Sequence, residues 1–297
     1  MKKLQLFLLI LLVQISTFAQ TITPAYQAKL DSVLNPLSAI VVPFLKADTS
    51  FRARGNLKRS YFFAEAGQQM PYRLYVPTSY KAGKTPLVML LHGGGSDENT
   101  LMDRANTIAM KLAEKHGYIV VSPLGYTKIG AYGSYLRLPA VYGKPDEQAK
   151  QKVAFAADTA RQKTLALSEK DVMNVLKIVQ KEYNPDSNNI FLAGHSMGSG
   201  GTWYLGAKYA KKWKALAAMS GPFIDETDYS FEKIKQKPIH VSEGIDAKPS
   251  LESSRLLAKY LKINGFNFQY IEVEADHPNM MPLVLPSIFE FFDKNIK

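Results

Sequence analysis

The chain has 297 residues, of which 46% are hydrophobic, and it carries a formal net charge of +11 at pH 7. This length and hydrophobic content exclude a disordered chain and allow one large domain with a full core. The absence of cysteine excludes disulfides and thiol chemistry. The basic residues are scattered rather than interleaved with aromatic residues, so we expect a solvated basic surface and no nucleic-acid partner.

The first residues have the pattern of an export signal. Met1 is followed by two lysines and an apolar run at 6–13, and Ala19 ends a small-residue cleavage site. We predict a signal peptide at 1–19, cleaved after Ala19, and therefore a secreted or periplasmic protein. The apolar run is much shorter than the roughly 20 residues that a membrane-spanning helix needs, so we expect no stable membrane span.

The rest of the chain alternates predicted strands and helices. Residues 20–59 form an N-terminal extension with a short predicted helix at 24–34. From residue 60 onward, the patterns predict strands at 72–76, 87–91, 118–121, 190–193, 216–219, 239–241 and 268–273, and helices at 105–115, 168–183 and 250–263. Ser168 is expected to cap the second of these helices. Strands separated by helices are typical of an α/β fold, here a mostly parallel central sheet with helices on both faces.

The pattern Gly194-x-Ser196-x-Gly198 lies between a predicted buried strand and a helix. In that context, small residues on both sides let the backbone turn sharply and push the serine hydroxyl outward, which is the nucleophile-elbow arrangement. A serine and glycine cluster can also serve only to pack a helix closely on a sheet. The strand before it and the helix after it favour Ser196 as a nucleophile.

A serine nucleophile needs a base to take its proton. The chain has five histidines, and we choose His277 because it follows the last predicted strand in a loop. His195 adjoins the nucleophile and is expected to project away from it, which leaves it as a candidate substrate contact. The other three are expected to lie in a glycine motif (His92), at a helix end (His116) and within a strand (His240).

Three carboxylates compete to orient that base. Glu243, Asp246 and Asp276 each follow a strand at the same expected edge of the sheet. Asp246 is preferred because it lies in the loop after the strand at 239–241, and the chain order serine, aspartate, histidine is that of the hydrolases. Asp276 is next to the histidine and poorly placed to reach its ring, whereas Glu243 remains the rival.

The segment His92-Gly93-Gly94-Gly95 comes directly after the strand at 87–91. Glycines without side chains let backbone N–H groups approach a developing oxyanion, and a second donor is expected from Met197, the residue after the nucleophile. The alternative is a flexible glycine turn with no such role. The position after a strand and before the serine motif favours the oxyanion hole.

The segments "YRLYVPTSY", "PLVMLLHGGG", "GYIVVSPLG", "NNIFLAGHSMGSGG", "ALAAMSGPF", "PIHVSEGIDAKPS" and "EADHP" resemble those of the α/β-hydrolase superfamily. Within it, the chain is similar to secreted esterases related to polyhydroxybutyrate depolymerases and to feruloyl or acetylxylan esterases. The resemblance implies Ser196, Asp246 and His277 as nucleophile, acid and base, with oxyanion donors at Gly94 or Gly95 and Met197. The chain departs from these relatives by carrying a glutamate where they often have a histidine before Gly244.

A long segment at about 126–167 is expected to form an insert or lid. It contains tyrosines that can stack on a sugar or phenolic ring, and Tyr126, Tyr132 and Tyr135 are our candidate substrate contacts. Such a length exceeds that of a simple connection. The alternative is that these tyrosines only seal the loop onto the sheet edge.

These residues predict a serine carboxylic-ester hydrolase whose catalytic domain spans 60–297. The expected substrates are small-molecule or polysaccharide-linked acyl or phenolic esters, and neither a metal nor an organic cofactor is implied, since HExxH-type spacing and a phosphate loop are both lacking. A serine peptidase of the prolyl-oligopeptidase-like type and an acyltransferase use the same residues and remain alternatives. A non-catalytic glycan-binding protein is a further alternative.

Overall fold

The structure is a computed structural model. It describes residues 22–135, 150, 153–154, 156–222, 224, 229–248 and 250–296. The predicted signal peptide and residues 136–149, 151–152 and 155 of the predicted insert therefore lie outside the described residues. Within the described residues no helix is both long and apolar enough to cross a membrane.

A central sheet organises the described part of the chain. Its eight strands are β1 (Gly55–Phe63), β2 (Gln68–Val76), β3 (Leu87–Leu91), β4 (Ile119–Pro123), β5 (Ile190–His195), β6 (Leu216–Met219), β7 (Ile239–Gly244) and β8 (Phe268–Val273). Their spatial order is β1-β2-β4-β3-β5-β6-β7-β8. The pairs β1–β2 and β2–β4 are antiparallel and all the others are parallel. The expected α/β-hydrolase fold, with a mostly parallel sheet, is confirmed.

Helices cover both faces of this sheet. They are α1 (Pro24–Leu34), α2 (Thr100–His116), α3 (Thr159–Tyr183), α4 (Met197–Lys208), α5 (Ser250–Ile263) and α6 (Met280–Asp293). Buried residues of α3, α4 and α5 share one core, and those of α1, α2 and α6 share the other. The pleat of β5 sends Leu192 into the first core and Phe191 into the second, because successive strand residues face opposite sides. The nucleophile motif therefore follows a strand that is anchored on both faces.

Several elements begin or end at other residues than the sequence predicted, and β1 and α3 are two examples. Strand β1 begins at Gly55, inside the segment assigned to the N-terminal extension. Helix α3 begins at Thr159 rather than at Ser168, and Asp158 caps it by accepting a hydrogen bond from the backbone N–H of Arg161. The hydroxyl of Ser168 instead accepts a hydrogen bond from the Tyr132 N–H, at 2.9 Å. The prediction that Ser168 caps the helix was wrong. A serine side chain inside a helix can hydrogen-bond to the backbone of a neighbouring loop, and the local sequence does not distinguish the two roles.

The extension packs against the rest of the domain. Tyr26 of α1 is buried, and its hydroxyl donates a hydrogen bond to the carbonyl oxygen of Asn279, at 3.0 Å. Asn279 lies two residues after His277. The N-terminal helix therefore helps to hold the loop that carries the predicted base.

Candidate active site

Ser196 lies at a sharp turn between β5 and α4. Its backbone has φ of 56° and ψ of −116°, a conformation that costs energy for a non-glycine residue. The turn closes tightly, because a Cβ added at Gly194 would lie 2.1 Å from the carbonyl oxygen of Gly198. A Cβ at Gly198 would lie 2.2 Å from the carbonyl oxygen of Leu91 in β3. Both glycines are therefore needed sterically, as the elbow pattern predicts.

His277 lies beside the serine hydroxyl. Its Nε2 is 2.8 Å from the Ser196 Oγ, which is hydrogen-bond distance. Burial of the imidazole lowers the pKa of His277 to about 4, and Asp276 opposes this by favouring the charged form. The ring is therefore neutral at neutral pH, which is the state in which Nε2 can accept a proton from Ser196.

The other ring nitrogen of His277 contacts a hydroxyl. Its Nδ1 is 2.6 Å from the Oγ of Ser220, and that same Oγ is 3.0 Å from the Oε1 of Glu243. Both Ser220 and Glu243 are completely buried. The sequence analysis assigned no role to Ser220. Its position could have indicated one, because it is a polar residue directly after β6, at the carboxyl end of a strand that neighbours β5.

The Asp246 side chain does not contact His277 in the described part of the chain. Its side chain is exposed, and the residue is tied to the loop by its backbone N–H, which donates to the Ala275 carbonyl at 3.1 Å. No hydrogen bond between the Asp246 carboxylate and His277 occurs in the described part of the chain. The reason is that β7 extends through Glu243 to Gly244, so the inward-facing carboxylate belongs to the strand and Asp246 comes after the turn.

His195 supports the loop that carries His277. It is buried, and its Nε2 donates a hydrogen bond to the carbonyl oxygen of His277, at 2.8 Å. A carbonyl oxygen only accepts, so the proton of this imidazole sits on Nε2. Burial lowers the pKa of His195 to about 3, which keeps the ring neutral. The structure thus shows His195 in contact with the loop that carries His277, whereas the sequence predicted a substrate contact.

The glycine segment after β3 lies against the nucleophile turn. A Cβ added at Gly94 would lie 3.8 Å from the Cβ of Met197, so these two backbones are neighbours. The N–H of Gly95 donates to the carbonyl oxygen of Lys128, at 2.8 Å. The Gly95 amide is therefore occupied within the protein, and of the two predicted oxyanion donors Gly94 is the one for which no such hydrogen bond occurs among the described residues.

The three candidate tyrosines lie in different environments. Tyr126 and Tyr135 are half-buried, and the Tyr126 ring packs edge-on against Phe63. Tyr132 is completely buried, and its hydroxyl donates to the carbonyl oxygen of His92, at 3.1 Å. The expectation that Tyr132 contacts substrate is therefore wrong: its ring fills the space beside Gly201 and has no accessible face.

The low pKa of His277 has a measurable consequence for any reaction that uses it as a base. A histidine with its usual pKa of about 6.5 would lose roughly tenfold of its neutral form between pH 7.5 and pH 5.5. With a pKa of about 4, His277 stays neutral over that range, so we expect kcat/KM to be nearly equal at the two pH values. Brief assays of kcat/KM on a neutral ester would check this; a tenfold decrease at pH 5.5 would contradict it.

Comparisons with known proteins identify the family of the chain. The model of the Esterase family matches residues 64–235. A bifunctional acetylxylan esterase/xylanase of Neocallimastix patriciarum is 28% identical over 160 residues, which are 54% of this chain and 19% of that protein. The match therefore spans about a fifth of the length of that curated relative.

Solved structures share the fold. A ferulic acid esterase of Anaeromyces mucronatus, solved with ferulic acid, superposes with a TM-score of 0.60 at 16% identity, covering 84% of this chain and 93% of that one. An S-formylglutathione hydrolase of Staphylococcus aureus gives 0.59 at 15% identity, covering 82% and 99%. A thermostable esterase gives 0.57 at 24% identity, covering 82% and 63%. Because the Esterase model matches more than half of its residues, the chain belongs to the Esterase family of enzymes, and it has the α/β-hydrolase fold.

Proposed function

We propose that this chain is a serine carboxylic-ester hydrolase that works through an acyl-enzyme. The observation that carries the proposal is the 2.8 Å contact between the Ser196 Oγ and the His277 Nε2 at the strained elbow. A serine hydroxyl is a weak nucleophile by itself, and a neutral imidazole in hydrogen-bond contact activates it. Membership of the Esterase family supports the same chemistry.

The reaction follows in two steps. The Ser196 Oγ attacks the ester carbonyl while its proton moves to the His277 Nε2, and backbone N–H groups of Gly94 and Met197 stabilise the oxyanion. The bond to the alcohol then breaks, and Nε2 gives its proton to the leaving oxygen. A water molecule then attacks the acyl carbon while its proton moves to the same Nε2. The bond between the acyl carbon and the Ser196 Oγ breaks, Nε2 returns the proton to Oγ, and the acid is released.

The proposed substrates are acyl or phenolic esters attached to glycans. The support comes from the acetylxylan esterase and ferulic acid esterase named above, which are relatives in sequence or in fold. Tyr126 and Tyr135, both half-buried, are the proposed contacts for the sugar or the phenolic ring. The signal pattern at 1–19 supports export to the periplasm or the cell exterior.

A panel of matched substrates tests the proposed function. We expect hydrolysis of p-nitrophenyl acetate, methyl ferulate and acetylated xylan, and at least about a hundredfold lower kcat/KM on p-nitroacetanilide, because an anilide is a poorer acyl donor that needs stronger leaving-group protonation. Equal or faster cleavage of the anilide would point to a peptidase. Transfer of the acyl group to an added sugar, in place of its release as free acid, would point to an acyltransferase.

A further inference from the structure

The contact between the base and a buried carboxylate passes through a third side chain. In the usual serine triad, a carboxylate accepts directly from the Nδ1–H of the histidine. Here Ser220 lies between them, with its Oγ 2.6 Å from the His277 Nδ1 and 3.0 Å from the Glu243 Oε1. Three neighbouring strand ends build this chain of contacts, since Ser220 follows β6, Glu243 is the last residue but one of β7, and His277 lies in the loop after β8.

The donors around Glu243 determine the direction of these hydrogen bonds. Its Oε2 accepts from the hydroxyl of Ser254 at 2.7 Å, and its Oε1 accepts from the backbone N–H of Gly244 at 3.1 Å. The N–H of Gly221 is a further donor to the same carboxylate. Burial raises the pKa of Glu243, and the hydrogen bonds from these donors oppose that rise by favouring the charged form. Backbone amides only donate, so it is the ionised carboxylate that can accept from all of these partners at once.

An ionised Glu243 also orients the Ser220 hydroxyl. That hydroxyl has one proton, which goes to the Glu243 Oε1, and its lone pairs then face the His277 Nδ1. Nδ1 must therefore carry a hydrogen and donate it to Ser220. A neutral imidazole has only one N–H, so Nε2 is then unprotonated. This tautomer can accept the proton of Ser196 at Nε2.

The backbone around Ser220 is held in place. Its φ is 60°, in the left-handed region, and its N–H donates to the Ser242 carbonyl at 2.9 Å. Met219 is paired in register with Ser242 in the parallel ladder between β6 and β7. This register places Ser220 beside Glu243, so the hydroxyl has little freedom to turn away.

We propose that Ser220 and Glu243 are positioning residues for this reaction, in which the Ser220 hydroxyl relays the orienting effect of the buried Glu243 carboxylate to the Nδ1–H of His277. The proposal rests on the proposed function and replaces Asp246 in the acid role. When the imidazole becomes positively charged in the transition state, the Glu243 charge stabilises it through the polarised hydroxyl.

Two substitutions test the relay, and two others serve as references. Glu243→Gln removes the charge at nearly constant shape, and Ser220→Ala removes the bridging hydroxyl. Ser242→Ala is the matched control, since it deletes a buried hydroxyl of the same strand that has no partner among the described residues. Asp246→Asn tests the carboxylate preferred from the sequence. We expect Glu243→Gln and Ser220→Ala each to lower kcat by about 10²-fold with little change in KM, and the two reference variants to remain within about twofold of the original chain.

A spectroscopic measurement separates positioning from a merely structural role. Nitrogen-15 NMR of labelled imidazoles at pH 7.5 reports which ring nitrogen carries the proton, with the His277 signals assigned by their loss in His277→Gln. We expect Nδ1 protonated and Nε2 bare in the original chain, and a mixture of the two tautomers in Ser220→Ala and Glu243→Gln. If Glu243→Gln does not fold, Ser220→Ala alone carries the test.

The outcomes distinguish the relay from the proposed function itself. Unchanged tautomer signals, unchanged kcat in both relay variants, or an equal loss of kcat in Asp246→Asn would each overturn the relay while leaving Ser196 and His277 in place. Full activity of a Ser196→Ala variant would instead overturn the proposed function, whatever the relay variants show.

Discussion

Replacing Ser196 with alanine is expected to lower kcat for p-nitrophenyl acetate by on the order of 10⁶-fold, since the loss of a triad nucleophile in a serine hydrolase has an effect of this size. The substitution removes the oxygen that would form the acyl-enzyme and leaves His277 and the backbone donors in place. The hydroxyl makes one described hydrogen bond, to the His277 Nε2, so little folding stability is lost with it. Stopped-flow and steady-state assays on the purified variants measure the decrease.

Ser199→Ala is the matched control for this experiment. Ser199 lies three residues further along α4, is completely buried, and its hydroxyl donates to the carbonyl oxygen of Gly221 rather than facing His277. We expect this variant to retain most of its activity. Incubation with a fluorophosphonate probe should add one phosphonyl group to the original chain and to Ser199→Ala, and none to Ser196→Ala. Labelling or turnover by Ser196→Ala at the original rate would show that another residue is the nucleophile.

Replacing Gly198 with alanine is expected to destabilise the fold by about 3 kcal/mol, the upper part of the usual cost of overpacking a core. The added Cβ would lie 2.2 Å from the carbonyl oxygen of Leu91 and 2.9 Å from that of His92. Both are backbone atoms at the end of β3, so relief requires α4 to move away from the sheet. That movement would also separate Met197 from Gly94, and we expect the surviving folded protein to have a lower kcat.

The control for Gly198→Ala lies in the same helix. At Gly206 an added Cβ would meet the side chain of Leu216, at 2.7 Å from its Cδ1, and a leucine side chain can shift. Alanine also favours a helix interior over glycine by about 1 kcal/mol, so Gly206→Ala should change stability much less. Thermal unfolding measures both, and we expect Tm to fall by roughly 10 °C in Gly198→Ala alone. Equal Tm values for the two variants would contradict the steric argument.

The sequence pattern was not sufficient to predict which carboxylate, Glu243 or Asp246, lies near His277. The apolar run predicted a strand at 239–241, whereas β7 continues to Gly244. The three extra residues keep Glu243 within the pleat, on the same face of the strand as Val241, and leave Asp246 exposed to solvent beyond the turn. Strand ends are set by pairing with the neighbours β6 and β8, and a single segment of sequence carries no information about that pairing.

The burial of Tyr132 and the hydrogen bond of the Gly95 N–H were unpredictable from the sequence for a related reason. Tyr132 and Tyr126 belong to the same loop and have the same side chain, yet one is completely buried and the other only half-buried. Gly94 and Gly95 are adjacent, but only the N–H of Gly95 is taken by the Lys128 carbonyl. Which side chain a loop buries and which amide it uses depend on contacts with distant segments.

The sequence by itself determined the alternation of strands and helices, and hence the α/β fold, together with the tight turn around Ser196. These features are local, because they follow from hydrophobic periodicity and from the steric demand for glycine at two positions. Only the tertiary structure decided which polar groups meet at the sheet edge. Ser220, Glu243 and His277 come from three strand ends far apart in the chain, and the parallel register of β6, β7 and β8 brings them within hydrogen-bond distance.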